Sequence, residues 1–283
     1  MDFERVRTLA ITALFSDDTL LDLLVLKGGN AISLVYRCSS RASLDLDFSI
    51  EGDFLDLADI QRRVFKALNE HFSSVGLAIF DGKFEQRPAN PADDQADDWG
   101  GYRVSFKLID HKRYAGLSAD IDAIRREALE VGPSHLRTLA VDISKFEYCK
   151  QKRESELDGY TIYVYSPSMI AVEKLRAICQ QMPEYALRCR KRARARDFFD
   201  IHELVVNAHV RFTGIESLEL VKNIFAAKCV PVGLIERIPR QREFHRPDWA
   251  AVQASVRGEL KDFDYYFDFV IEQAKPLEAL WVV

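Results

Sequence analysis

The chain has 283 residues, 48% apolar and 29% charged, with a net charge of −5. That is ordinary globular composition with ample core material. It fits one large domain or two ordinary ones and excludes a simple polycation. Five scattered cysteines (Cys38, Cys149, Cys179, Cys189, Cys229) contain no CxxC pair, so neither a disulfide framework nor a zinc site is expected.

The amino-terminal stretch MDFERVRTLAITALF reads as an amphipathic helix, and residues 1 to about 24 as helical. It carries acids early and no signal-peptide cleavage pattern, and the longest apolar run, around Leu20 to Leu26, includes Asp22 and is too short for a bilayer. A cytoplasmic address is expected. Lys27-Gly28-Gly29-Asn30 breaks the pattern, and a short helix with Ile32, Val35 and Tyr36 inward follows. In SLDLDFSI, Leu44, Leu46, Phe48 and Ile50 alternate with polar residues, which predicts a strand with Asp45 and Asp47 together on one face. Asp is a poor strand former, and two neighbouring carboxylates repel, so something cationic should hold them there.

Further along, residues 53–73 read as a helix (Leu57, Ile60, Val64, Phe65 and Leu68 on one side) and 75–84 as a strand. Residues 88–99, acidic and proline-bearing, read as a loop, and 101–109 alternates as a strand through Tyr102, Val104, Phe106 and Leu108. Leu117, Ile121, Ile124 and Ala128 have helical spacing, with Ser118 as the expected cap and Asp120 and Asp122 as structural first-turn acids. Leu139, Val141 and Ile143 then face one way on a strand and Asp142 the other. Residues 160–165 form another strand. Ser166-Pro167 starts a helix to about Gln180, and the pattern stays helical to the end. The predicted fold is therefore α+β, with a mixed half over 1–165 and a helical half over 166–283 completing a cleft.

Asp45, Asp47 and Asp142 on neighbouring strands would suit hard divalent cations, most simply two Mg²⁺ ions. The helix start at Gly28-Gly29 would suit phosphate, because backbone N–H groups are free and no side chain stands in the way. Together these predict nucleotidyl transfer from an NTP. Alternatives stay open beside each reading. Asp142 could be ordinary strand polarity, Lys174 a surface lysine, and Asp197 and Asp200 helix salt-bridge partners of Arg194 and Arg196. Lys27 could simply neutralise a buried acid. A DxD-bearing glycosyltransferase, a transferase acting on a protein or small molecule, and a non-catalytic nucleic-acid binder are the competing functions.

Five blocks in order, LKGGNAISLVYR, RASLDLDFS, AVDIS, SPSMIAVEKLRAI and RARDFFDIHEL, resemble the AbiEii/AbiGii-type type IV toxin nucleotidyltransferases of the DNA polymerase β-like superfamily. The match covers about residues 20 to 206. The resemblance implies that Gly28 and Gly29, with Asn30 and Ser43 close by, hold the β- and γ-phosphates. It assigns the metals to Asp45, Asp47 and Asp142, phosphate contact to Lys174, and a supporting role to Asp197 with Asp200 beside it. Asn30 departs from the Ser or Thr of many relatives. The resemblance also implies a tRNA 3′ end as acceptor, growth arrest through blocked translation, and a separately encoded antitoxin that forms no stable complex with the toxin. The run LRCRKRARAR places Arg188, Arg190, Lys191, Arg192 and Arg194 beside the predicted site, which is the charge pattern of a nucleic-acid backbone contact. Arg237, Arg240, Arg242, His245 and Arg246 could extend it.

Overall fold

The computed structural model describes residues 2–39, 41, 43, 45–89, 100–117, 120–132, 134–187, 190–256 and 258–281. Seven strands form one mixed sheet: β1 Val25–Lys27, β2 Leu46–Ser49, β3 Leu77–Arg87, β4 Gly101–Asp110, β5 Leu139–Ser144, β6 Arg153–Leu157 and β7 Tyr160–Val164. They lie in the order β3-β4-β5-β2-β1-β7-β6. β2 runs parallel to β5 and β1 parallel to β7, and the other pairs are antiparallel.

The predicted amino-terminal helix is two helices, α1 Phe3–Phe15 and α2 Asp18–Leu23, because Asp17 caps the second by accepting from the Leu20 N–H. After β1, a turn of helix α3, Gly28–Asn30, widens into a π-helical turn over Ala31–Val35. α4, Leu57–Ser74, starts behind the Asp56 cap and buries Ile60, Val64, Leu68 and Phe72, an i, i+4 stripe packed against α1. α5, His111–Gly116, has no counterpart in the sequence reading. α6, Ile121–Arg126, is capped by Asp120, whose side chain accepts from the Asp122 and Ala123 N–H groups. Ser118, the expected cap, and most of the expected acidic loop lie outside the described residues. β6 was not foreseen either, because RESEL at a sheet edge is polar on both faces.

The carboxyl-terminal half is helical as expected: α7 Pro167–Cys179, α8 Ala195–Asn207, α9 Ile215–Ala226, α10 Arg242–His245, α11 Trp249–Ser255 and α12 Phe263–Ala274, with 3₁₀ turns between. Ser166 caps α7 by accepting from the Met169 N–H, with Pro167 in the first turn. α7 packs on α8 and α9, and α8 on α12.

Candidate active site

Strand pairing builds the centre of the site. Lys27 on β1 lies opposite Asp47 on β2, Asp47 opposite Asp142 on β5, and Asp142 opposite Arg103 on β4. Directly opposed residues share a face of the sheet, so these four make one lateral row of charge: positive, negative, negative, positive. The neighbouring strands thus supply cations for Asp47 and Asp142, whereas Asp45, the expected companion of Asp47, lies outside the row. Arg103 donates from Nε and Nη2 to the two Asp142 oxygens at 2.7 and 2.5 Å. Lys27 acts on Asp47 through space, while its own hydrogen bond goes to Glu147 at 3.2 Å. Asp47 is left the least compensated. Burial pushes its carboxyl up to about 6; Asp142, Asp45 and Glu173 add to the shift, and Lys27 opposes it. Asp45 does not belong to the strand, which begins at Leu46, and Leu44 is outside the described residues. Its backbone carbonyl is instead pinned by Asn30 Nδ2 at 2.7 Å.

The glycines face this row. Gly28 has φ +70°, and a Cβ there would stand 2.5 Å from Asp47 Oδ2. A Cβ on Gly29 would stand 2.6 Å from Ser43 Cβ and 3.0 Å from Arg41 Nη2. Only bare backbone fits between the acids and the loop. Asn30 caps nothing with its side chain: its amide nitrogen holds Asp45, and its Oδ1 is buried without a partner among the described residues.

Lys174 is buried, not a surface lysine. Its Nζ donates to Asp197 Oδ1 at 3.2 Å and Asp200 Oδ2 at 2.7 Å. Burial works against its charge, but the two acids outweigh burial and raise its pKa. Asp200 also accepts from Arg41 Nε and Nη2 at 2.9 and 2.7 Å, and Asp197 from Arg194 Nε. A second buried network centres on Glu147, which takes Lys27 at 3.2 Å and Arg176 at 2.9 Å, while Glu173 reaches Arg176 at 3.4 Å. Lys27 thus does neutralise a buried acid, and that acid is Glu147. Arg103, Arg41 and Glu147 were missed in the sequence. The signal for Arg103 was present: the alternation of Tyr102, Val104 and Phe106 turns it to the opposite, polar side of its strand, as on the strand of Asp142.

The basic run divides. Lys191 Nζ donates to the Gln180 and Tyr185 carbonyls at the end of α7, and Arg194 turns inward to Asp197. Arg190, Arg192 and Arg196 are exposed, and Arg188 lies outside the described residues. Most positions of the expected extension already have protein partners. Arg237 is engaged by Glu184, and Arg242 and Arg246 by Asp264. His245 is fully buried, its Nδ1 accepting from the Arg194 N–H at 3.1 Å.

A cavity of about 540 Å³ brings together Gly28, Gly29, Ser43, Asp45, Asp47, Asp142, Lys174, Asp197, Arg192 and Arg194, with Arg41, Arg103 and Arg196 on its wall. Asn30, Asp200, Arg190 and Lys191 are not on that wall. Among the described residues, ten Lys and Arg line it against six Asp and Glu, a local positive surplus in a chain of net charge −5. Such a cavity suits a polyanion.

A match to the family described as nucleotidyl transferase AbiEii toxin, type IV TA system, spans residues 10–272. The chain belongs to that family. An AbiEii nucleotidyltransferase takes a nucleotide as substrate, which sets aside the nucleotide-sugar alternative. Two solved structures share the fold of this AbiEii protein. One is JHP933 from Helicobacter pylori, 19% identical at a TM-score of 0.51, covering 98% of this chain and 92% of the other. The second is an H. pylori protein described as a candidate nucleotidyltransferase, 18% identical at 0.50, covering 99% and 97%. No curated protein sequence matches. Among the described residues, no helix is long and apolar enough to cross a membrane.

Proposed function

We propose that the chain transfers a nucleoside monophosphate from an NTP to the 3′-terminal hydroxyl of a tRNA, releasing pyrophosphate and arresting growth through blocked translation. The observation that carries this reading is the positive cavity in which the least compensated carboxylate of the row, Asp47, abuts a side-chain-free glycine turn. The acceptor oxygen bonds to the α-phosphorus, the α–β bridging oxygen leaves with the pyrophosphate, and the hydroxyl proton passes to Asp142.

Gly28 and Gly29 admit the β- and γ-phosphates, and Lys174, held by Asp197 and Asp200, offsets their charge. Asp45 and Asp47 fit a hard divalent cation such as Mg²⁺: both donate oxygen, and Asp47 is short of positive charge. Among the described residues no three of His, Cys, Asp and Glu gather closely enough to enclose a metal. The expected three-carboxylate set of Asp45, Asp47 and Asp142 is therefore not gathered, and an ion on Asp45 and Asp47 would need substrate phosphate and water to complete its shell. Magnesium, when bound, supplies charge neutralisation at the transferring phosphate. Asp142, expected as a third ligand, has both oxygens on Arg103, so taking the acceptor proton requires that pair to open as substrate enters.

Exposed Arg192 and Arg196 at the cavity suit RNA phosphate, which positions an end without reading its bases. The setting is the cytoplasm, with the antitoxin as a separate protein that forms no stable complex.

The test incubates purified protein with total RNA and each α-labelled NTP. Labelled tRNA is expected, and Asp45→Ala or Asp47→Ala abolishes it while circular dichroism is unchanged. RNA left unlabelled by every NTP removes the tRNA reading, and fully active variants remove the site assignment.

A further inference from the structure

We propose that Arg41 is a clamp for the terminal phosphates of the bound nucleoside triphosphate, set in place by Asp200; this rests on the nucleotidyl-transfer reading above. Arg41 lies on the loop between the glycine turn and β2. Three described residues near Arg41 are held through their carbonyls: Cys38 accepts from Asn207, Ser43 from Arg7 and Asp45 from Asn30. The Arg41 side chain is nine-tenths buried, and Asp200 holds it edge-on through Nε and Nη2. That fork consumes one edge of the guanidinium. Nη1 makes no hydrogen bond to a described residue, and Nη2 lies 3.0 Å from where a Gly29 Cβ would be, so the unused edge of the guanidinium begins beside the glycine turn on the cavity wall.

The charge of the surroundings points to an anion. Three cations, Arg41, Lys174 and Arg194, converge on two acids, Asp197 and Asp200, and both acids are almost fully buried. All three cations line the cavity, whereas Asp200 stands behind it. The surplus positive charge is therefore presented inward, beside Gly28 and Gly29, with little water to screen it. A planar guanidinium fixed on one edge and open on the other is the geometry that takes two phosphate oxygens together. Asp200 is accordingly a positioning residue for Arg41 and Lys174, not a nucleotide contact.

The experiment is titration calorimetry of the full chain with an NTP, with inorganic tripolyphosphate and with the corresponding NMP. Arg41→Gln is expected to weaken NTP and tripolyphosphate binding by roughly 10- to 100-fold, the scale of lost charge-assisted hydrogen bonds, and to leave NMP binding unchanged. Arg41→Lys keeps the charge but not the fork and falls between. Asp200→Asn, which frees the guanidinium without removing it, weakens tripolyphosphate in the same direction. Asp200→Asn also releases Lys174, so the Arg41 variants decide the clamp, with Arg41→Lys the second measurement should Arg41→Gln not fold. Tripolyphosphate binding equal to the parent's in folded Arg41→Gln overturns the clamp, as does an equal loss for NMP and NTP. If the parent binds and transfers nucleotide but the variants are unaffected, only the clamp falls. A parent that binds neither NTP nor tripolyphosphate removes the transfer reading together with the clamp.

Discussion

Asp47 is held in its row at a cost in stability. A carboxyl at about 6 in the folded chain, against an ordinary 3.8, takes up a proton on folding wherever the pH lies between those values. Stability therefore falls as pH rises through that window, and the full penalty stands above it. In metal-free buffer containing EDTA, Asp47→Asn should raise the unfolding free energy at pH 7.5 by on the order of 2 kcal/mol, the gap closing below pH 4. Denaturant titrations at the two pH values check this, and a variant no more stable than its parent at pH 7.5 would contradict the electrostatic account of the row. The acidic pair itself was plain in the sequence, because Leu46 and Phe48 bracket Asp47 at period two. Its cationic partner was not: Arg103 stands 39 residues before Asp142, and only the pairing of β4 with β5 makes them neighbours.

At the scale of elements, the same limit separates what was legible from what was not. Local chemistry announced the start of α7 at Ser166-Pro167, the inward face of α4, and the alternation of β4 and β5. Polar β6 and short α5 carried no periodicity to read. The widening of α3 into a π-helical turn also left no mark, nor did the close fit of Gly28 and Gly29 against the Asp47 and Ser43 side chains. That fit yields a prediction for the turn as a unit. Gly28→Ala meets both a positive φ and the Asp47 carboxylate, and Gly29→Ala meets Ser43. Gly28→Ala is expected to cost about 1 kcal/mol or more of stability, and both to weaken tripolyphosphate binding severalfold or more. Melting curves and calorimetry on the two variants measure these separately. Undiminished tripolyphosphate affinity in both would show that phosphate does not lie against this backbone.

For the whole molecule, the change from strands to helices near residue 165 is a change of element type more than a break in packing. Among the described residues the main apolar cluster runs from Val6 on α1 to Leu277 beyond α12, with a small second cluster of Phe80, Ile109, Ile124 and Ala128. The Glu147 network crosses the same line: Glu147 follows β5, its partner Lys27 ends β1, and its other partner Arg176 belongs to α7 and also donates to the Ile224 carbonyl on α9 at 3.1 Å. Arg176 and Lys27 cannot reach water easily if Glu147 is removed, and two buried cations in contact range of one another would be left with only Glu173 between them. Glu147→Ala is thus expected to destabilise the chain by roughly 3–5 kcal/mol, the cost of breaking a buried ion pair from one side. The parent should unfold in a single transition whose calorimetric and van't Hoff enthalpies agree, and the variant should lower that one transition instead of splitting it. A chain ending at residue 165 should not fold alone, because Glu147 would lose Arg176 and keep only Lys27, and the main apolar cluster would lose its helical share. Two resolved transitions in the parent, or a cooperative fold in residues 1–165, would mean that the two halves are joined at the cleft but stabilised independently.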